Sequence, residues 1–97
     1  MNIANEIGLE AVLGQLAEEA AELAQAALKL QRIIHGTNPT PVTEEEAREN
    51  LLEEADDVNL CLAVLSGAGI DTHDSESWLA KAVRWEQRIR KAKEDKE

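Results

Sequence analysis

The chain contains 97 residues, the size of one small domain, and we predict a single domain over residues 1–97. Its net charge of −10 argues against a nucleic-acid polymer as a partner, because that binding needs a positive surface. Its one cysteine, Cys61, cannot form an internal disulfide. The sequence shows neither a membrane-spanning apolar run nor a signal-peptide pattern. These features favour a cytoplasmic location without membrane contact.

The first predicted element is a helix from about Ile3 to Ile34, a stretch without proline that repeats apolar residues at helical spacing. Gly8 and Gly14 weaken its start. Its predicted apolar seam has two sets of positions seven residues apart, a (Leu13, Ala20, Ala27, Ile34) and d (Leu16, Leu23, Leu30). The loop 36–42, which contains both prolines, ends this helix.

The second predicted helix begins after Thr43, whose hydroxyl can cap it, with Glu46 as the partner in a capping box. Gly67 and Gly69 end this helix. Its predicted seam comprises Leu51, Ala55, Val58, Leu62 and Leu65.

The third predicted helix runs from about Ser75 into the charged tail, with Thr72, Asp74 or Ser75 as its N-cap. Its predicted seam comprises Trp78, Ala82, Trp85 and Ile89. These elements predict an all-α fold in which short antiparallel helices form a four-helix-bundle-like core. We expect oligomerisation to complete that core, because three short helices cannot cover their own apolar seams.

Acidic residues flank the seams of the first two helices, in the runs EEAAE (18–22) and EEADD (53–57). Each run places two carboxylates three residues apart on the same flank of its seam, namely Glu19 and Glu22, and Glu54 and Asp57. Packing the seams together can therefore bring four carboxylates face to face, an arrangement that favours a bound cation such as Mg²⁺ or Mn²⁺. Solvent-facing helix surface is the alternative interpretation of such pairs.

A di-iron carboxylate site is a weaker interpretation of these acids. Such sites need a histidine three residues after a glutamate on two helices, and neither His35 nor His73 has that spacing. Capping or solvation at helix ends is the expected role of both histidines.

A stripe of basic residues follows one flank of the third helix, formed by Lys81, Arg84, Arg88 and Lys91. Its offset from the seam matches that of the carboxylates, so the stripe can bind substrate phosphates. Pairing with acidic faces of neighbouring helices is the alternative. Trp78 and Trp85 can stack on a base, but in a chain without other aromatic residues we expect them to anchor the core or a subunit interface.

The two acidic motifs resemble those of the all-alpha nucleoside triphosphate pyrophosphohydrolases, the MazG-like and dimeric dUTPase-like superfamily. The match is EExxE, here Glu18, Glu19 and Glu22, followed on the next helix by ExxD, here Glu54 and Asp57. The resemblance covers about residues 9–65. The third helix is a looser fit, and the loop 36–42 makes the gap between the motifs rather long.

The resemblance implies Mg²⁺-dependent hydrolysis of a nucleoside triphosphate between its alpha and beta phosphates, releasing the monophosphate and pyrophosphate. It also implies a homodimer or homotetramer. The implied metal ligands are Glu19, Glu22, Glu54 and Asp57. Glu18 would be a further ligand or an orienting group, and either Glu18 or Glu19 would be the general base. Lys81, Arg84 and Arg88 would lie near the phosphates.

Two alternatives from other functional classes stay open. A non-catalytic helical oligomerisation module would use the charged stripes for pairing between subunits and would show no specific dependence on divalent metal. A nucleotide-binding regulatory module would bind nucleotide with Mg²⁺ and release no pyrophosphate. The sequence does not identify the preferred base or sugar.

Overall fold

The computed structural model describes residues 1–36 and 38–96. Thr37, in the predicted loop, and Glu97, at the end of the predicted tail, lie outside these ranges. Over the described ranges the chain forms four α-helices and no strand, so the all-α prediction is confirmed. The helices are α1 (Ile3–Ile7), α2 (Leu9–His35), α3 (Glu44–Gly67) and α4 (Ser75–Asp95).

The first predicted helix is divided into two at Gly8. This residue has φ +90° and ψ 148°, a conformation that a residue with a Cβ rarely adopts, and its N–H donates to the Ala4 carbonyl at 2.8 Å. Asn2 caps the short α1 by accepting from the Asn5 N–H at 3.1 Å. Gly14, by contrast, lies inside α2 without interrupting it.

Helices α2 and α3 pack against each other as an antiparallel hairpin. The stripe of α2 that faces α3 consists of buried and half-buried residues at alternating spacings of four and three: Val12, Leu16, Glu19, Leu23, Ala26, Leu30 and Ile33. The predicted d positions are therefore right. The predicted a positions are exposed, and the residue before each of them occupies the seam.

Helix α3 has the bounds that the sequence predicts. All five residues of its predicted seam are buried or half-buried, and so are Ala47, Glu54 and Cys61. Thr43 accepts from the Glu46 N–H at 3.1 Å at its start. At its end, Gly69 has φ +91° and the Ile70 N–H returns to the Leu65 carbonyl at 3.0 Å, a hydrogen bond of the Schellman type. The Ile70 side chain packs against the core cluster that contains Leu65, so the turn and the core stabilise each other.

Helix α4 begins after Asp74, which accepts from the Ser77 N–H at 3.1 Å. Over the described residues it makes no contact with α1, α2 or α3, and it buries no side chain. Trp78 and Trp85 are 63% and 64% exposed. The predicted seam of this helix is therefore an apolar face without a partner in the chain.

The molecule is elongated, measuring 55 × 39 × 18 Å. None of the helices in residues 1–36 and 38–96 has the length and apolar character that are needed to cross a bilayer.

Candidate metal centre

The α2–α3 hairpin brings together the four carboxylates that the two motifs predict. Each of Glu19, Glu22, Glu54 and Asp57 offers one oxygen, and these four oxygens all lie within 4.8 Å of one another. The predicted meeting of the two pairs is thus confirmed. Their role as metal ligands stays a prediction, since exposed acidic groups are common without an ion.

Two of the carboxylates lie in the hairpin interface and two at its edge. Glu19 and Glu54 are half-buried and lie in the seams of α2 and α3, whereas the sequence predicts them on the flanks. Glu22 and Asp57, one helical turn further along, are exposed. This cluster therefore has an interior pair, held by packing, and an outer pair that can reach a ligand from solvent.

Mutual repulsion raises the pKa of Glu22. The neighbouring Glu54 carboxylate is the largest cause, both through a proton that the two groups can share and through its charge. Partial burial and the charge of Asp57 act in the same direction, while a hydrogen bond involving Glu19 opposes them.

The pKa of Glu19 is also raised above its ordinary value of 4.5. A hydrogen bond from the Gln15 amide Nε2 to Glu19 Oε1, at 2.7 Å, is the largest influence and lowers this pKa. Burial and the charges of Glu22 and Asp57 together outweigh it. The cluster therefore holds negative charge at a cost that a cation would relieve.

The interior pair leaves two acceptors unsatisfied. Among the described residues, Glu19 Oε2 and Glu54 Oε2 are buried and have no hydrogen-bond partner. A buried carboxylate oxygen without a partner is destabilising, and a bound cation or an ordered water would satisfy it.

The donor set fits a hard divalent cation. Oxygens on opposite sides of an octahedral Mg²⁺ lie about 4.2 Å apart, because each Mg–O distance is about 2.0–2.1 Å. Separations of at most 4.8 Å allow the four oxygens to converge on one ion after rearrangement of their side chains. Four carboxylates with no nitrogen or sulfur ligand among them suit Mg²⁺ or Mn²⁺.

Glu18 does not belong to this group. It is exposed on α2 and is not among the four residues whose oxygens meet. Its role as a further ligand, an orienting group or a base stays a prediction.

Two neighbours of the cluster were not predicted. Gln15 orients Glu19 from one helical turn earlier, and the i, i+4 spacing in the sequence is the signal that could have indicated it. Cys61, the second neighbour, is a free and buried thiol. Burial, followed by the charges of Glu19 and Asp57, raises its pKa, which keeps the thiol protonated.

The basic stripe lies apart from the carboxylates. Lys81, Arg84 and Arg88 line an open groove on α4 together with Trp78 and Trp85. Two ion pairs occur in the described residues, Arg48–Glu44 and Arg90–Glu86, and neither involves the stripe. The single chain does not bring these cations to the cluster, and their role in binding phosphate stays a prediction.

Comparisons of this chain with protein-family models, with curated proteins and with solved structures found no match. The likeness to the all-alpha pyrophosphohydrolases therefore rests on the two carboxylate motifs alone.

Proposed function

We propose that this protein is a Mg²⁺-dependent nucleoside triphosphate pyrophosphohydrolase that acts in the cytoplasm as a homodimer or homotetramer. The observation that carries the proposal is the cluster of Glu19, Glu22, Glu54 and Asp57, whose oxygens lie within 4.8 Å of one another and include two unsatisfied buried acceptors. The resemblance of the motifs supplies the substrate class.

In this proposal the four carboxylates hold the ion. Bound Mg²⁺, or Mn²⁺, supplies positive charge that offsets the charge of the phosphate oxygens. The exposed pair, Glu22 and Asp57, faces the side from which a triphosphate can approach, and the interior pair fixes the position of the cluster within the hairpin.

The reaction transfers the alpha phosphoryl group to water. The water oxygen bonds to the alpha phosphorus, the bond from that phosphorus to the bridging oxygen breaks, and pyrophosphate leaves with the electron pair. The water proton passes to a carboxylate, either Glu18 or Glu19. The hydrogen bond that Glu19 accepts from the Gln15 amide orients its carboxylate.

Pyrophosphate release from a panel of canonical and damaged nucleoside triphosphates, with Mg²⁺ and with EDTA, tests the proposal. The variants are Glu22→Gln and Asp57→Asn, with Glu53→Gln as the control, because Glu53 is an exposed acid on α3 outside the cluster. We expect each cluster variant to lose at least about 100-fold in activity, since even residues that only support metal ligands contribute about 10–100-fold. Wild-type activity in both cluster variants would refute the metal role.

A non-catalytic helical oligomerisation module is the second candidate. The exposed apolar face of α4, with Trp78 and Trp85 each more than 60% exposed, favours it. This alternative predicts assembly without any release of pyrophosphate and without dependence on a divalent metal. A regulatory module would also release no pyrophosphate, and a measurement of Mg²⁺-dependent nucleotide binding would distinguish it from the oligomerisation module.

A further inference from the structure

Helix α4 lacks the packing that normally stabilises a helix in a protein. In proteins most helix stability comes from burying an apolar face, and α4 buries no residue. Within the described residues its other support is the Asp74 cap and one exposed pair between Arg90 and Glu86 at 3.9 Å. The face that carries Trp78 and Trp85 is therefore an exposed apolar surface that a partner can bury.

The connection between α3 and α4 is held against α3. The Thr72 hydroxyl donates to the Leu62 carbonyl at 3.3 Å, and Ile70 packs against the hydrophobic core. These contacts fix the start of α4 while the rest of the helix extends away from its own hairpin.

The distribution of charge indicates what the partner is. Residues 1–74 carry fifteen acidic and three basic side chains, whereas residues 75–97 carry five acidic and seven basic ones. The α4 segment is thus complementary in charge to the remainder of the chain, and a second copy presents that acidic remainder.

The hairpin of the second copy also offers a place where an apolar side chain can dock. An apolar groove of about 120 Å³ lies between α1, α2 and α3, and its walls include Ile3, Val12, Leu60 and Cys61. Its rim is exposed, with Ile3 at 41% and Leu60 at 59%. This open groove can receive part of a large apolar side chain, and a Trp that is buried at an interface contributes strongly to binding.

The groove and the carboxylate cluster are one helical turn apart on both helices. On α2, Gln15 lines the groove and is hydrogen-bonded to Glu19. On α3, Cys61 lines the groove four residues after Asp57.

Three residues of the basic stripe lie close to Trp85 on α4. Lys81, Arg84 and Arg88 lie four before, one before and three after Trp85, and all line one groove with it. With the Trp85 ring in the groove of another copy, one end of this stripe can lie beside the carboxylates of that copy, because the groove and the cluster are one helical turn apart.

We propose that α4 of one copy inserts Trp85 into the groove between α1, α2 and α3 of a second copy, and that its basic stripe completes the carboxylate site there. The exchange is reciprocal, so two copies close into a symmetric dimer with two composite sites. The docking stands on its own observations, and only the composite character of the site rests on the proposed function.

Mass measured by light scattering over a range of protein concentrations tests the docking. We expect the wild type to associate to at least twice the chain mass of 10.7 kDa. Trp85→Ser and Leu60→Lys should each weaken association at least about tenfold, as expected for a central buried aromatic side chain and its receptor. The matched controls are Val83→Ser, on another face of α4, and Leu52→Lys, an exposed leucine of α3 that does not line the groove.

A monomeric wild type would overturn the docking. So would wild-type association in both Trp85→Ser and Leu60→Lys, or losses of the same size in the control variants. Circular dichroism of each variant separates loss of docking from loss of helix.

A second experiment tests whether the site is composite, without measuring activity. A ¹⁵N-labelled chain with Glu22→Gln and Glu54→Gln, which lacks two cluster carboxylates, is mixed with unlabelled wild type and Mn²⁺. Because Mn²⁺ broadens nearby signals, we expect broadening of the labelled Trp85 indole N–H by Mn²⁺ on the other chain. The reference is a separate sample of ¹⁵N-labelled wild type with Mn²⁺. A sharp Trp85 signal in the mixture overturns the composite site if the amides beside the cluster are broadened in that reference sample. If those amides also stay sharp, the metal proposal fails and the composite site fails with it, while the mass measurement decides the docking.

Discussion

The half-buried Glu19 connects packing with chemistry in this molecule. Its place in the seam of α2 fixes one oxygen against Gln15, while the other oxygen is buried without a partner. An aliphatic residue at this position would pack against α3 without these penalties. The hairpin thus retains a charge where its own stability favours an apolar side chain, which is typical of a functional site.

The first prediction concerns the two exposed acids of the cluster. Glu22→Gln and Asp57→Asn should leave the metal-free protein equally stable or more stable, because each removes a charge from a repulsive group. The same changes should abolish stabilisation by Mg²⁺. In the wild type a ligand at 100 times its dissociation constant adds about 2.7 kcal/mol.

Thermal melting with and without Mg²⁺ measures both effects, at one fixed protein concentration. Glu53→Gln is again the control and should keep the full Mg²⁺ effect, because Glu53 is not among the clustered acids. An undiminished Mg²⁺ effect in both cluster variants would rule out ligand roles for Glu22 and Asp57.

The second prediction follows from the raised pKa values of Glu19 and Glu22. A carboxyl group whose pKa is raised by folding binds more protons in the folded state than in the unfolded state. Its contribution to stability is therefore fully present below the unfolded value, near 4.5, and is lost as the pH rises through the folded value.

We accordingly expect the difference in melting temperature between the metal-free wild type and Glu22→Gln to change over the pH range just above 4.5. The wild type should gain stability relative to the variant as the pH falls. Mg²⁺ should bind less tightly over the same interval, because the ion competes with protons for the carboxylates. A difference that stays constant with pH would contradict the shift.

At the residue scale the sequence predicts which carboxylates meet, because their phase along each helix is fixed by periodicity. It does not predict that Gln15 orients Glu19, since this contact depends on the side-chain conformation of both residues. Nor does it place Glu18 outside the cluster. That result depends on which residues of α2 face α3.

At the scale of the helices, contacts between residues close in sequence are enough to predict where a helix begins and ends. The Thr43 cap and the Gly69 turn fix the two ends of α3 through contacts within a few residues, and both were predictable. The seam of α2 was less predictable, because Leu16, Leu23 and Leu30 can belong to either of two overlapping apolar stripes. Pairing with α3 uses the stripe that contains Val12, Ala26 and Ile33. The other stripe offers Leu13, Ala27 and Ile34 at the corresponding positions, and these apolar side chains are too similar in size for the sequence to decide between the two.

The third prediction compares two glycines of the N-terminal segment. Gly8→Ala should destabilise the protein by about 1–2 kcal/mol, because alanine is strained at φ +90°. Gly14→Ala should stabilise it by about 0.5–1 kcal/mol, because Gly14 lies inside α2. A new Cβ meets no atom within 4 Å at either position, so the backbone alone determines the sign.

Urea unfolding at one protein concentration measures both changes. Stabilisation by Gly8→Ala would show that this residue does not require its positive φ and that α1 and α2 can form one continuous helix, and destabilisation by Gly14→Ala would contradict the prediction for α2.

At the scale of the whole molecule, the proposed dimer brings the oppositely charged hairpin and α4 together. The apolar contact of Trp85 does not depend on attraction between charges, whereas the attraction between the basic stripe and the acidic hairpin does. Salt screens this attraction, since the Debye length falls from about 10 Å at 0.1 M to about 3 Å at 1 M. The two contributions to the proposed dimer can therefore be separated by ionic strength.

The fourth prediction is that the dimer dissociation constant of the wild type rises between low and high salt, and that the double variant Arg84→Ala, Arg88→Ala loses most of this dependence. The double variant should bind more weakly than the wild type at low salt and about equally at high salt, because only the screened contribution has been removed. Sedimentation at several salt concentrations measures the dissociation constant.

The control is the double variant Arg90→Ala, Lys93→Ala, which removes the same charge from α4 outside the groove and should keep most of the salt dependence. Equal salt dependence in the wild type and the Arg84 and Arg88 double variant would show that the basic stripe does not face the acidic hairpin of another copy.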